Sequence, residues 1–307
     1  AVRKLFDSPF AAATAAALFV LNPNVLYLQS TPMTEPVLFA ALGSLFCTKA
    51  AVFNVALEGQ LLAASFVAIV ANYYTNNVLI SLLAGVAAGA FVAWIVAIFQ
   101  IKWKVRDMVV GTAMNLLVQS VTAFLMQIIY GSRGTVQGFG MVALTKINLS
   151  FLKFSPFLYR MFEDLSTIDY LGYIVAVLIF IYFKKTVSGF HHLSVGISGT
   201  AADSLGVKSQ RIQIRAVVIS GILCGFGGVV HAMGNVTVFA ENMTSGRGFI
   251  AMGAASMAQS HPLVAIGSSL FFGTMLSLSK TLQGYINSYF TEAIPYLCTV
   301  LAITVYG

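Results

Sequence analysis

Charge is what this sequence has least of. Aspartate, glutamate, lysine and arginine make up 9% of its 307 residues, where an ordinary soluble domain carries about 25%. That scarcity excludes a water-facing globular surface. Cysteine is scarce as well. The three present, Cys47, Cys224 and Cys298, lie in apolar surroundings with neither disulfide nor metal-ligand spacing. They read as small packing residues, and no metal site is expected. The four histidines are scattered: His191 and His192 in a basic stretch, His231 and His261 isolated. Packed or solvated side chains are expected there, not a catalytic set. No nucleophile–base pair is evident, so no catalytic residue is assigned. The phosphate-binding pattern G-x-x-x-x-G-K-[ST] is missing, which excludes ATP binding by that route.

What is present is oil. Apolar residues make up 58% of the chain, and the mean hydropathy is +0.87. Uncharged runs cover 8–34, 59–101, 108–132 and 216–240, and 248–279 is interrupted only by His261. A membrane-spanning helix needs about 20 mostly apolar residues. The runs are continuous rather than alternating, which excludes a β-barrel. The expected fold is an all-α polytopic membrane protein with about 10 transmembrane helices, forming one transmembrane domain over 1–307 with no room for a soluble one. Helices are expected at 9–28, 33–48, 60–74, 77–101, 107–130, 167–183, 214–238, 248–259, 262–279 and 291–306. Segments 33–48 and 248–259 are short for a full crossing, and Pro23 predicts a kink or break in the first helix. No A-x-A-like site follows the first apolar run, so no cleavable signal peptide is expected.

The net charge of +7 does not point to nucleic acid, because its distribution follows the basic bias of cytoplasmic loops. Arg3 and Lys4 precede the first helix. "KWKVRD" (102–107) joins the fourth and fifth. The segment 184–215 holds Lys184, Lys185, Lys208, Arg211 and Arg215 against Asp203 alone. With ten crossings these three stretches share one side, and the rule makes it cytoplasmic, with both termini. The loop 131–166 then lies outside. The chain is expected as a multi-pass protein of the cell membrane.

Two polar breaks interrupt the oil. "FNVALEGQLLAAS" (53–65) follows the second helix and "FAENMTSGRGFIAMGA" (239–254) follows the seventh. Each has an asparagine, an acid or glycine-rich turn, then a helix of small residues. An odd number of helices separates them, which gives opposite orientations, and inverted repeats with matching interruptions mark a transport path. Irregular backbone at membrane depth must face protein or water. Asn54, Glu58, Asn115, Gln119, Asn242 and Thr244 are therefore candidates for lining a path for a neutral polar solute, with Phe53 and Phe249 as aromatic faces. The competing role of such residues is to bond neighbouring helices. Arg247 is a candidate to pair with Glu241 or Glu58 and pin the helix at 248–259; the alternative is that it reaches headgroups or water. The small-residue runs "AGVAAGA" (84–90) and "GILCGFGG" (221–228) predict close helix packing.

In the basic segment, Thr200 is expected to cap a short helix of Ala201, Ala202, Ser204 and Leu205. Asp203 would complete a capping box, and Gly206 would stop the helix in a left-handed conformation. Such a helix suits either a connector on lipid headgroups or a peg that docks into a cytoplasmic partner.

These motifs carry a family resemblance. "AADSLGV" (201–207) resembles the coupling-helix core of ABC-importer permeases. "FNVALEGQ" (53–60) resembles the signature after the second helix in permeases for ribose, branched-chain amino acids and nucleosides. "ENMTSGRGFIAMGA" and "DMVVGTAMNLLVQSVTAFLMQIIYG" (107–131) are similar to the nucleoside branch, with purine nucleosides such as guanosine as its solutes. The likeness runs from about residue 33 to 283, and 241–251 is its most specific part. It implies a non-enzymatic permease subunit working by alternating access. A second permease subunit, ABC ATPase subunits docked on 200–206, an extracytoplasmic substrate-binding protein and the lipid bilayer would be its partners. ATP and magnesium would reside on the ATPase, leaving this chain without a cofactor. A permease for ribose-like sugars or branched-chain amino acids is the alternative in that class; a secondary transporter or channel is the alternative outside it.

Overall fold

In the computed structural model the residues described are 23–131, 134–136, 141–145, 166–234, 237–283, 293–297 and 300. Almost all of them are helical. In chain order the helices are α1 (Pro23–Thr48), α2 (Leu57–Thr75), α3 (Val78–Ala97, running on into a π-helical turn Ile98–Lys102), α4 (Asp107–Tyr130), α5 (Thr167–Lys185), α6 (Val187–Ile197), α7 (Gly199–Ser204), α8 (Ser209–Met233), α9 (Arg247–Met257) and α10 (Pro262–Leu282). Two short strands, β1 (Thr135–Val136) and β2 (Phe239–Ala240), pair antiparallel with Thr135 opposite Ala240. Among the described residues five helices, α3, α4, α5, α8 and α10, are long and apolar enough to cross a membrane. This is an all-α polytopic membrane protein.

The core is built around α8. In its most apolar window 72% of residues are buried, against 33% for α3 and 28% for α4. Glycine makes this possible, because α8 packs against α1, α2 and α3 at backbone distance. A Cβ on Gly89 of α3 would lie 2.6 Å from the Gly221 carbonyl oxygen of α8, and one on Gly225 would lie 2.7 Å from the Val86 Cα. Small residues at a crossing give dispersion contacts that lipid tails do not replace.

The polarity of the bundle can be read from its contacts. At one end sit the turn after α1, the turn between α3 and α4, and the segment α6–α7. Gln213 donates to the Ala50 carbonyl, and one cavity of about 320 Å³ is walled by Ala51, Gln100, Lys104, Thr200, Asp203 and Gln213 among others. At the other end Asn72 bonds Val142, Leu144 N–H bonds the Met233 carbonyl, and β1 meets β2. Two of the basic stretches expected on one side, 102–107 and 184–215, are thus together, opposite the described residues 134–136 and 141–145.

Several expectations are corrected. The helices expected at 9–28 and 33–48 are not separated at 29–32, since α1 runs unbroken from Pro23 to Thr48; residues 9–22 lie outside those described. Pro23 is the first described residue of α1, so the kink or break expected there falls at the edge of the described residues. The helix expected at 214–238 is displaced to Ser209–Met233, because polar Ser209–Arg215 form its first turns outside the oil. Helix α6 was not expected at all; its basic flanks and paired histidines hide a short helix with a buried His192. The helix expected at 291–306 lies largely outside the described residues, as do Arg3, Lys4 and Cys298.

The close α3–α8 contact is testable. Gly89→Val has nowhere to put its side chain and should destabilise by about 1–3 kcal/mol or more. The expected readout is a lower melting temperature and less monodisperse protein after detergent extraction, whereas the same change at Gly267, which has open space around it, should be tolerated.

Candidate functional site

The site is the junction of the two polar breaks. After α1 the chain turns at Ala51, which adopts a left-handed φ of 55°. It then climbs back into the bundle without regular structure until α2 starts at Leu57. Asn54 reaches Ser220, about halfway along α8, so this stretch ends near the bundle's mid-depth. The second break starts from the opposite end. It leaves α8, passes through β2, and descends through residues 241–246 before α9 begins at Arg247. At a rise of 1.5 Å per residue, the 11 residues of α9 span only about 16 Å, roughly half of a membrane core.

Backbone groups buried in these breaks need partners, and side chains supply them. The amide of Asn54 donates to Ser220 Oγ at 3.1 Å and to Gln60 Oε1 at 3.3 Å, and its oxygen accepts from Ala56 N–H at 3.1 Å. Asn115 of α4 clamps the same loop from the other side. Its Oδ1 accepts from Gly59 N–H at 2.8 Å and its Nδ2 donates to the Val55 carbonyl at 3.0 Å. Gln100 donates to the Phe53 carbonyl at 3.4 Å. Gly111 lets Val55 lie directly on α4.

Glu58 joins the breaks. Its Oε1 accepts from Gly246 N–H at 2.8 Å and its Oε2 from Gly248 N–H at 2.6 Å. A carboxylate on the first N–H groups of a helix satisfies orphan donors and meets the positive end of the helix dipole. The approach requires glycine: a Cβ on Gly248 would sit 2.5 Å from the Glu58 nitrogen. Gly246 has φ 81°, and Asn242 and Ser245 also lie in the left-handed region at 54° and 43°. Arg247 is buried and turns back, donating from Nη1 to the carbonyls of Met243 at 2.7 Å and Thr244 at 3.1 Å. His231 of α8 meets the same Met243 carbonyl at 3.1 Å.

Where Arg247 was expected to pair with a carboxylate, Glu58 accepts from the backbone N–H groups at the start of α9. The opposite charges of Glu58 and Arg247 also attract across the junction. Glu241 is exposed, and its backbone N–H bonds the Gly134 carbonyl. Of the other candidates, Asn54, Glu58 and Asn115 converge on the junction. Thr244 is fully buried beside it, with no hydrogen-bond partner for its Oγ1. Asn242, Phe53 and Phe249 are exposed, and Gln119 is half-buried one turn along α4 from Asn115. A cavity of about 470 Å³ opens beside the second break, with Asn242, Ser245, Arg247, Lys280 and Tyr296 in its wall. Sequence reasoning missed Gln60, Gln100, Ser220 and His231, which are isolated polar residues in apolar runs and carry no local signal. It also missed Glu35, a buried α1 carboxylate that accepts from Tyr173 Oη at 3.1 Å.

At the basic end, α7 is the short exposed helix expected at 200–206, with a different cap. Ser198, not Thr200, accepts from Ala201 N–H, because Gly199 and Thr200 already have helical backbone. Asp203 closes no capping box. It accepts from Ser209 N–H at 2.9 Å and from Ser209 Oγ at 2.7 Å, so it ties α7 to the start of α8. Those two bonds, the backbone one first, hold its carboxyl below the usual carboxylate range. Gly206 is left-handed, with φ 85°. Ala202 is buried, whereas Ala201, Ser204 and Leu205 face out. Among the described residues no group of three His, Cys, Asp or Glu gathers as metal ligands would.

The sequence profile of the family described as branched-chain amino acid transport system / permease component matches residues 10–303. The chain is 33% identical over 282 residues, 88% of each chain, to the guanosine ABC transporter permease protein NupQ of Bacillus subtilis (strain 168). It is 28% identical to the nucleoside ABC transporter permease protein NupC of Lactococcus lactis subsp. cremoris (strain MG1363), across 89% of each chain. Its identity to that organism's NupB, also a nucleoside ABC transporter permease protein, is 24%, over 78% of this chain and 68% of NupB.

Removing the Glu58 carboxylate leaves two buried N–H groups without acceptors, each costing about 1–3 kcal/mol. Glu58→Ala should therefore lower the melting temperature of the purified protein strongly. Glu58→Gln keeps an acceptor and should cost distinctly less. Equal melting temperatures for the two variants would show that the bridge does not hold α9.

Proposed function

The chain belongs to the branched-chain amino acid transport system / permease component family, and we propose that it forms the translocation path of an ATP-driven importer whose solute is a nucleoside. The observation that carries the solute class is likeness along nearly the whole chain to permeases named for guanosine and nucleosides. On this reading ATP and magnesium bind to separate ABC ATPase subunits. A second permease subunit completes the membrane unit, and an extracytoplasmic binding protein delivers solute to the end carrying β1 and β2. By the bias of basic residues, the end carrying Lys102, Lys104, Lys184 and Lys185 faces the cytoplasm.

The site residues divide by what surrounds them. Asn54, Glu58 and Asn115 hold the breaks in shape. Asn242 and Thr244, with the cavity beside α9, offer neutral donors and acceptors of the kind a nucleoside's ribose and base require. Phe53 and Phe249, each about two-fifths exposed at 42% and 40%, give faces on which a base can stack. Gln119 lies along the same side as Asn115. ATPase closure acts on Thr200–Gly206, and the Asp203–Ser209 tie passes it to α8.

Two measurements test this reading. The complex purified through this chain should contain an ATPase whose hydrolysis is stimulated by binding protein loaded with a nucleoside, and not by binding protein offered ribose or branched-chain amino acids. Transport by this chain alone, with no ATPase bound, would overturn it. Asp203→Ala should leave the complex assembled yet reduce nucleoside-stimulated hydrolysis several-fold, since only the tie between α7 and α8 is cut. That tie should persist at neutral pH. The folded-state pKa of Asp203 is depressed, so its contribution is present above the unfolded value near ~3.9 and is lost only as pH falls through the lower folded value.

A further inference from the structure

A groove runs along α3 and α4 on the surface of the bundle. It is entirely apolar, about 380 Å³, and is lined by Ile95, Phe99, Val105, Val109, Ala113 and Leu117 among others. Its floor is shaped by the π-helical turn, in which Trp103 N–H reaches the Ile98 carbonyl and Val105 N–H reaches the Phe99 carbonyl, each at 3.1 Å. The groove begins at the α3–α4 turn. There Trp103, 64% exposed, packs its ring edge-on against Phe99 with centroids 4.6 Å apart. Around that mouth Lys102, Lys104 and Arg106 are all exposed. The one acid of the turn, Asp107, faces with Lys104 into the separate cavity beside α7.

We infer that this groove is a binding site for one anionic phospholipid, with its headgroup phosphate on Lys102 and Arg106 and one acyl chain lying along Ile95, Phe99, Val109 and Leu117. Charge complementarity at the mouth and apolarity throughout the groove select an amphiphile of that sign. Length supports the same occupant. From Val109 to Leu117 the groove follows α4 for about 12 Å at 1.5 Å per residue, close to the ~15 Å depth of one leaflet's hydrocarbon. Trp103 stands at the boundary between the two, where tryptophan is favoured by its apolar ring and polar N–H. Basic pockets between membrane helices hold anionic headgroups by this combination of charge and fit.

The chain has two tryptophans, Trp94 and Trp103, which allows a direct test. In the full chain carrying Trp94→Phe, Trp103 fluorescence reports the mouth of the groove. The protein is placed in phosphatidylcholine nanodiscs containing a small fraction of either phosphatidylglycerol or phosphatidylcholine brominated high on the acyl chain. Brominated phosphatidylglycerol should quench at least about fivefold more efficiently at equal fraction, and K102Q/R106Q should abolish that preference. Ala113→Phe, which fills the groove and leaves the charges, should reduce quenching by either lipid. Equal quenching by the two lipids would overturn the inference by showing only unselective surrounding lipid. So would an Ala113→Phe variant with unchanged quenching. A Leu117→Cys variant that forms disulfides between copies would show instead that a second copy covers the groove.

Discussion

A peptide group in oil must find its hydrogen-bond partner inside the protein, and in this molecule that requirement falls hardest on Glu58. Its two carboxylate oxygens terminate the N–H groups of Gly246 and Gly248. Without it, α9 would begin in the bundle interior with its first donors bare. The surroundings follow from that bridge. Gly248 must be glycine so that α9 can lie against the Glu58 backbone, and Gly246 must be left-handed to aim its N–H at the carboxylate. Asn115 must hold Gly59 because Glu58 can point nowhere else once its helix begins there.

The bridge also explains why the two breaks belong together. One rises from the basic end and the other descends from the opposite end, and they meet near mid-depth. Each is a stretch of irregular backbone followed by a helix of small residues, and the two enter in opposite senses. An interruption of this kind is stable only where protein covers it. Each break here covers part of the other: the carboxylate of the first satisfies the helix start of the second, and the second packs on the first residues of α2. Such a junction can shift as a unit without exposing peptide groups to lipid, which is what a path opening alternately to two sides requires.

Much of this was legible in the sequence, for identifiable reasons. Helix α4 was read at its observed bounds because Asp107 and Gly131 punctuate an uncharged run cleanly. The two breaks stood out because charge is otherwise so rare, and their pairing was visible in Asn54 and Asn242, Glu58 and the glycines. The partner of Glu58 was not visible. A carboxylate and an arginine suggest an ion pair, whereas backbone N–H groups, which leave no mark in a sequence, were the closer donors. Ser198 was missed as a cap because Thr200 and Asp203 imitate the capping-box spacing two residues later. The boundary expected between 28 and 33 is absent because α1 runs on through Pro32 and Pro36 with α8, α9 and α10 packed against it. Gln100 and Ser220 act singly across long sequence separations, and only the fold brings them to the junction.

The route from the basic end to the junction is short in hydrogen bonds. Asp203 holds Ser209 at the start of α8, and Ser220, a little over three turns along α8 at 3.6 residues per turn, holds Asn54. Asn54 in turn holds Gln60, two residues from Glu58. The element carrying this route is the most buried of the five long apolar helices, locked on one side by the glycine crossing with α3. A helix packed so closely moves as a rod rather than bending, because interiors at this density transmit strain instead of absorbing it. On the proposed mechanism, a push on α7 therefore has little choice of destination. It displaces α8, whose polar contacts with the first break and the turn before it are Gln213 with Ala50 and then Ser220 with Asn54. The break that Asn54 shapes is the least regular part of the bundle and the cheapest to rearrange. Force applied at the basic end is thus delivered to the residues that frame the path.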